Sequence, residues 1–162
     1  EAYRIVYFAT HGLVAGDLKA LGSSIAEPAL ALTVPGKATA LDDGLLTASE
    51  VAKLKLNADW VVLSACNTAA GDKAGAEALS GLAKAFIYAG ARSLLVSHWP
   101  VVSTAAVSLT TAIFDLQAKD ASIGRSEALR QSMVALLNNK DDPLNAYPSV
   151  WAPFIIVGDG GI

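Results

Sequence analysis

Cysteine, methionine and histidine are scarce in this chain: one Cys, one Met and two His among 162 residues. A single cysteine rules out an internal disulfide and a cysteine-rich zinc site, and its natural setting is a reducing, cytoplasmic one. One Cys and two His bind zinc only by recruiting a carboxylate, and no recognised ligand spacing occurs, so neither metal nor cofactor is expected. Charge is sparse too. Twelve Lys and Arg stand against 15 Asp and Glu, a net charge of −3. That excludes the basic stripe of a general nucleic-acid binder, and no run of like charges suggests a tail or a membrane patch. No apolar stretch reaches the roughly 18 residues that span a bilayer, and no signal peptide is visible. The G-x-S-x-G elbow, the G-x-x-x-x-G-K-[ST] phosphate loop and the G-x-G-x-x-G turn are all missing. The sole methionine, Met133, is internal, and Glu1-Ala2-Tyr3 leads at once into a strand-like run. Residues 1–162 therefore read as a single domain cut from a longer protein.

What the chain does have is apolar material: 53% of it is hydrophobic, much of that alanine. A domain of this size buries about two thirds of its unfolded surface, enough for a conventional core. Tyr3–Thr10 is apolar nearly throughout and rich in β-branched and aromatic residues, which suits a strand covered on both faces. Small residues follow it, so 12–26 reads as a loop. Residues 27–34 and 42–46 read as a hairpin or a pair of edge segments, with Pro35-Gly36 as a turn. Thr47-Ala48-Ser49-Glu50 is a capping box, opening a short helix to about Leu54. Trp60–Ser64 and Arg92–Ser97 are further strands. Helical spacing marks 75–89, closed by Gly90, then 103–118 and 124–138. A last strand runs Phe154–Val157. Strands alternate with helices, so the class is α/β with a mainly parallel sheet.

In such sheets, ligands bind outside the carboxyl ends of the strands. Three segments lie there: Thr10-His11-Gly12, Ser64-Ala65-Cys66-Asn67-Thr68 and Ser97-His98-Trp99. They hold the only cysteine and both histidines of the chain. A thiol and an imidazole at neighbouring strand ends suit nucleophilic catalysis. Free cysteine has a pKa near 8.5, and a histidine raises its thiolate fraction and later protonates the leaving group. Backbone amides at a tight turn hold the developing oxyanion. Gly12 and Cys66 are the candidates. Each residue also has a plainer reading. A cysteine ending an apolar strand is commonly a small buried hydrophobe. His98, beside Trp99 and Pro100, suits a packed corner, while Trp99 suits either that corner or the wall of a substrate groove. Asp42-Asp43 suits a solvated turn.

Four separated segments resemble one family: VYFATHG, DDGLLTASEVAKLKLNADWVVLSACNTAAG, GLAKAFIYAGARSLLVSHWPV and VWAPFIIVGD. In order and rough spacing they are similar to the CHAT domain, a relative of caspases and separases, over about Tyr3 to Asp159. The resemblance implies a caspase-like three-layer sandwich with helices on both faces of a mainly parallel sheet. It implies a cysteine endopeptidase acting on a protein or peptide, with His11 as base, Cys66 as nucleophile, and the Gly12 amide in the oxyanion hole. It also implies tetratricopeptide repeats upstream in the same chain, and regulation by upstream regions is expected. Two departures concern the pocket for the residue before the cleaved bond. Relatives often carry an acid after Trp-x-Val, whereas Trp99-Pro100-Val101 is followed by Val102-Ser103, and they often have leucine where His98 stands. A basic substrate side chain would then need Asp72 or Glu77, each of which also reads as a solvated acid. An acidic one would need Arg92. The competing function is a catalytically silent caspase-like scaffold that binds a partner and cleaves nothing.

Overall fold

The computed structural model describes residues 3–20, 22, 24–39, 42–64 and 76–161. Its frame is a four-stranded sheet of β1 (Ile5–Phe8), β5 (Trp60–Leu63), β6 (Ser93–Ser97) and β7 (Phe154–Gly158), in the order β1-β5-β6-β7. The first three strands are parallel; β7 runs antiparallel to β6.

Alternation along the central strands divides the core into two layers. Val61 and Leu63 of β5 pack with Leu94 and Val96 of β6 against Leu82, Ala85 and Phe86 of α3 (Ala76–Tyr88) and Ala89 just after it. Trp60, Val62 and Leu95 point the other way. They meet Ala106, Leu109 and Ile113 of α4 (Ser103–Lys119) and Ala128 and Leu129 of α5 (Arg125–Asn138). The result is helix, sheet, helix: a three-layer α/β sandwich. Gly90 ends the α3 segment with φ at +106°, a conformation that favours glycine, and the Leu56 N–H donates to the Ala89 carbonyl at 2.6 Å.

A second, three-stranded antiparallel sheet joins β2 (Gly12–Leu13), β3 (Ala29–Ala31) and β4 (Leu45–Thr47). It docks through Leu30, which belongs to the α3 side of the core. Thr47 caps α2 (Ala48–Val51) with the full capping box: its hydroxyl accepts from the Glu50 N–H at 3.3 Å, and the Glu50 carboxylate accepts from the Thr47 N–H at 2.9 Å.

Two expectations need correction. Residues 12–26 are not simply a loop, since they contain β2 and the six-residue α1 (Ala15–Ala20). Nor is the first strand covered on both faces. Among the described residues β1 pairs only with β5, so it is an edge strand. Its inward residues Val6 and Phe8 pack on the core, while Ile5 and Tyr7 stay exposed. Between α5 and β7 lie a 3-10 turn, Pro143–Ala146, and a one-turn helix, α6 (Pro148–Trp151), neither anticipated from the pattern.

Candidate functional site

His11 sits where the chain leaves the large sheet and enters the small one. Its carbonyl accepts from the Ala31 N–H at 2.9 Å, and the Thr10 hydroxyl donates to the Ala31 carbonyl. These bonds clamp both sides of the imidazole's backbone to β3. The imidazole residue itself is exposed. The antiparallel ladder also orients Gly12. His11 faces Ala31 as a bonded pair, and Gly12 faces Leu30. Opposed residues alternate between bonded and non-bonded pairs, so the Gly12 N–H points away from β3.

The end of β5 lies beside this turn. The Ser64 N–H donates to the Phe8 carbonyl at 3.0 Å, carrying the β1–β5 pairing one residue past the strand. A cleft of about 280 Å³ opens there, lined by Tyr7, Thr10, His11 and Ser64 on one side and by Val101, Ser103 and Val107 on the other. Tyr7 is fixed by its hydroxyl, which donates to Thr110 at 3.4 Å while Thr110 donates to the Ala106 carbonyl at 2.8 Å. Ser103 opens α4, whose N-cap, Val102, supplies no side-chain acceptor. The positive end of a 17-residue helix thus borders the cleft. Among the described lining residues there is no Asp, Glu, Lys or Arg. A second cleft on the other side of His11 is lined by Phe8, Ala31, Leu32 and Thr33.

The remaining candidates fall as follows. Cys66 and Asp72 lie outside the described residues, as does the side chain of Glu77, which falls within α3. His98 is exposed; its backbone N–H donates to the Pro153 carbonyl at 2.8 Å and its ring stacks on Trp99. Trp99 donates its indole N–H to the Ser149 carbonyl at 3.0 Å and does not line either cleft beside His11. Arg92 precedes β6, at the end of the sheet opposite His11, and pairs with Asp59 at 3.1 Å. It is therefore not available at the strand ends for an acidic substrate side chain. No group of three His, Cys, Asp or Glu among the described residues is placed to hold a metal ion. Among them, too, no helix is long and apolar enough to cross a membrane.

The family model described as "CHAT domain" matches residues 1–159. This chain belongs to the CHAT domain family. Two relatives are tetratricopeptide repeat protein 28 of Mus musculus, 35% identical over 70% of this chain, and its Homo sapiens counterpart, 32% identical over 73%. Each alignment spans only 4% of the relative's length. Among solved structures, the crystal structure of the Saccharomyces cerevisiae separase–securin complex matches with a TM-score of 0.51. The match has 18% identity and covers 68% of this chain and 7% of that one. The likeness is one of fold, which is caspase-like.

Within this CHAT domain, sequence reasoning found the strand-end turn and missed most of the cleft around it. Tyr7 looked like strand interior, and Val107 looked like the core face of a helix. In fact Tyr7 is 41% and Val107 is 64% exposed. The available signal was Ser103, in the stretch after Trp-x-Val where a carboxylate is lacking.

Proposed function

We propose that this CHAT domain is a cysteine endopeptidase in which Cys66 attacks the peptide carbonyl and His11 transfers the protons. One observation carries the reading. The parallel register of β1 and β5 keeps a constant offset of 55 residues, from Ile5 opposite Trp60 to Phe8 opposite Leu63. His11 and Cys66 stand the same distance apart in the sequence. The Gly12 amide, turned away from β3, and the family membership support it further.

The chemistry balances without any cofactor. His11 takes the thiol proton, and the sulfur adds to the carbonyl carbon. The oxyanion that forms is held by the Gly12 and Cys66 amides. The C–N bond then breaks as the imidazolium gives its proton to the departing amine, leaving a thioester. Water, deprotonated by His11, displaces the thiol, which returns with its proton as the acid is released. Because the curated relatives are tetratricopeptide repeat proteins, we further infer that the domain works within a longer repeat-bearing chain that controls its access to a protein substrate.

The test compares alkylation of Cys66 by an electrophilic thiol reagent in the wild type and in His11→Ala, with cleavage of candidate partners by the full-length protein. A general base of this kind contributes about 10²–10⁴-fold, so His11→Ala should lose at least the lower figure in cleavage, and Cys66→Ala all of it. Equal alkylation of both forms at the rate of an ordinary thiol would reject the dyad. Partner binding without any cleavage would favour the scaffold.

A further inference from the structure

We propose that Thr10 is a positioning residue for the His11 base, its hydroxyl bond to the Ala31 carbonyl fixing where the imidazole stands. This deepens the peptidase reading and rests on it. His11 is exposed, so packing does not hold its ring, and the ring goes where its backbone puts it. That backbone crosses a gap between two ladders. The pairing with β5 ends where the Ser64 N–H reaches the Phe8 carbonyl, and the pairing with β3 begins where the Ala31 N–H reaches the His11 carbonyl. Thr10 lies inside the gap, and its side chain reaches β3 across it.

The bond also decides how the second ladder starts. A full bonded pair of antiparallel strands exchanges two N–H to carbonyl bonds. Between residues 11 and 31 the bond from Ala31 is made, while the Ala31 carbonyl takes the Thr10 hydroxyl in place of the His11 N–H. Without that hydroxyl, the carbonyl would draw in the His11 N–H and complete the pair, turning the Cα–Cβ bond that carries the imidazole. Ala31 is a firm reference. Leu30 beside it is fully buried on the α3 side, and β4 pairs with it from the other edge, Ala31 opposite Leu45. A threonine hydroxyl bonded to backbone is common as a local feature. This one spans 21 residues of sequence and stands next to the base. Proton transfer needs the ring nitrogen within hydrogen-bond reach of the sulfur, and a shift of about 1 Å can cost about 10²-fold.

The experiment follows alkylation of Cys66 by iodoacetamide in the full-length protein, read by mass spectrometry of the peptide that carries it. An unassisted thiol is only a few per cent thiolate at pH 7, so a working imidazole can raise the rate by up to about 30-fold. Thr10→Val keeps the shape of the side chain and removes the hydroxyl. It should forfeit most of that gain and move the pH midpoint of alkylation up toward the free-thiol value of about 8.5. Thr10→Ser should recover most of the loss. In a His11→Ala background, Thr10→Val should change neither rate nor midpoint, because the effect runs through the imidazole. Thr10→Ala gives the same reading should Thr10→Val not fold. A wild-type rate and midpoint in Thr10→Val overturn the positioning role and leave the dyad standing. So does an equal loss in both backgrounds, or a Thr10→Ser that recovers nothing. If the wild type and His11→Ala already react alike, at the rate of an ordinary thiol, the peptidase reading itself fails, and this inference with it.

Discussion

The Ser64 N–H donates to the Phe8 carbonyl at 3.0 Å, so β1 and β5 are still in step as both chains approach the candidate site. A parallel ladder cannot slip by one residue without turning every following side chain to the other face. Val6 and Phe8 are committed to the α3 side, together with Val61 and Leu63. The 55-residue offset between β1 and β5 is therefore fixed by core packing.

This relationship yields a test that needs no substrate. Cys66 is the only cysteine, so His11→Cys creates a single possible pair. Neighbouring parallel strands lie about 4.8 Å apart, within the about 4.4–6.8 Å Cα separation that a disulfide accepts. Mild oxidation of His11→Cys should close an intramolecular disulfide, seen as a loss of two titratable thiols without dimer. Tyr88→Cys, on an exposed residue at the end of α3, should not. Failure of the first variant to close would separate residues 11 and 66 whatever their chemistry.

How far the sequence reached depends on the range of the forces involved. β5 and β6 were legible because a strand buried on both faces carries an apolar run, Trp60–Leu63 in one and Leu94–Val96 between two buried serines in the other. The helices over α3, α4 and α5 were legible from their spacing, and Thr47-Glu50 from local cap chemistry. β1 misled because its aromatic and branched residues look the same at an edge as at the centre. Only the pairing distinguishes them. β2 is two residues long and carries no periodicity, so nothing local marks it. It exists because Leu30 packs on α3 and brings β3 alongside. The strand-end rule found His11 for the same reason that it missed Val107. It concerns backbone direction, whereas the opposite wall of the cleft comes from a helix about a hundred residues away in the chain.

Acid should loosen the end of the sheet opposite the cleft. Asp59 accepts from Arg4 Nε at 2.5 Å and pairs with Arg92 at 3.1 Å, tying together the segments that enter β1, β5 and β6. The hydrogen bond from Arg4 comes first in holding its carboxyl below the usual value, with the charges of Arg4 and Arg92 adding to it. The folded state thus binds this proton more weakly than the unfolded chain. Its contribution to stability is full above the ordinary carboxyl range and is lost as pH falls through the lower folded value. Asp59→Asn should therefore melt earlier than wild type at neutral pH, and the two melting curves should converge in acid. A gap that stays constant with pH would exclude the ion pairs as its source.

Trp99 tests the corner where β6 hands the chain to α4. Its indole N–H bonds the Ser149 carbonyl at 3.0 Å, joining this corner to α6 across 50 residues of sequence. Trp99→Phe keeps an aromatic ring and removes only the donor. A hydrogen bond of this type contributes about 0.5–1.5 kcal/mol, and a urea titration should show a loss in that range with unchanged slope. No change would mean that packing alone holds the corner.

The sharpest effect on folding should come from Gly90. Its φ of +106° is one that side-chain-bearing residues rarely adopt, and a Cβ there would sit against the carbonyl oxygen of Leu56. That oxygen belongs to backbone held in place: the Leu56 N–H donates to Ala89, and the Arg92 N–H donates to Ala58 two residues on. Neither the turn nor the segment feeding β5 can move aside without breaking these bonds. Backbone strain of this type costs about 1–3 kcal/mol, and the steric contact adds to it. Gly90→Ala should lower the unfolding free energy by at least that much, read as a lower denaturant midpoint at unchanged slope, whereas Gly36→Ala, with open space around it and no positive φ, should leave it nearly unchanged. Equal midpoints for the two variants would show that the α3–β5 junction is far looser than its hydrogen bonds imply. The β5 register that keeps its 55-residue offset from β1 would then lose its anchor.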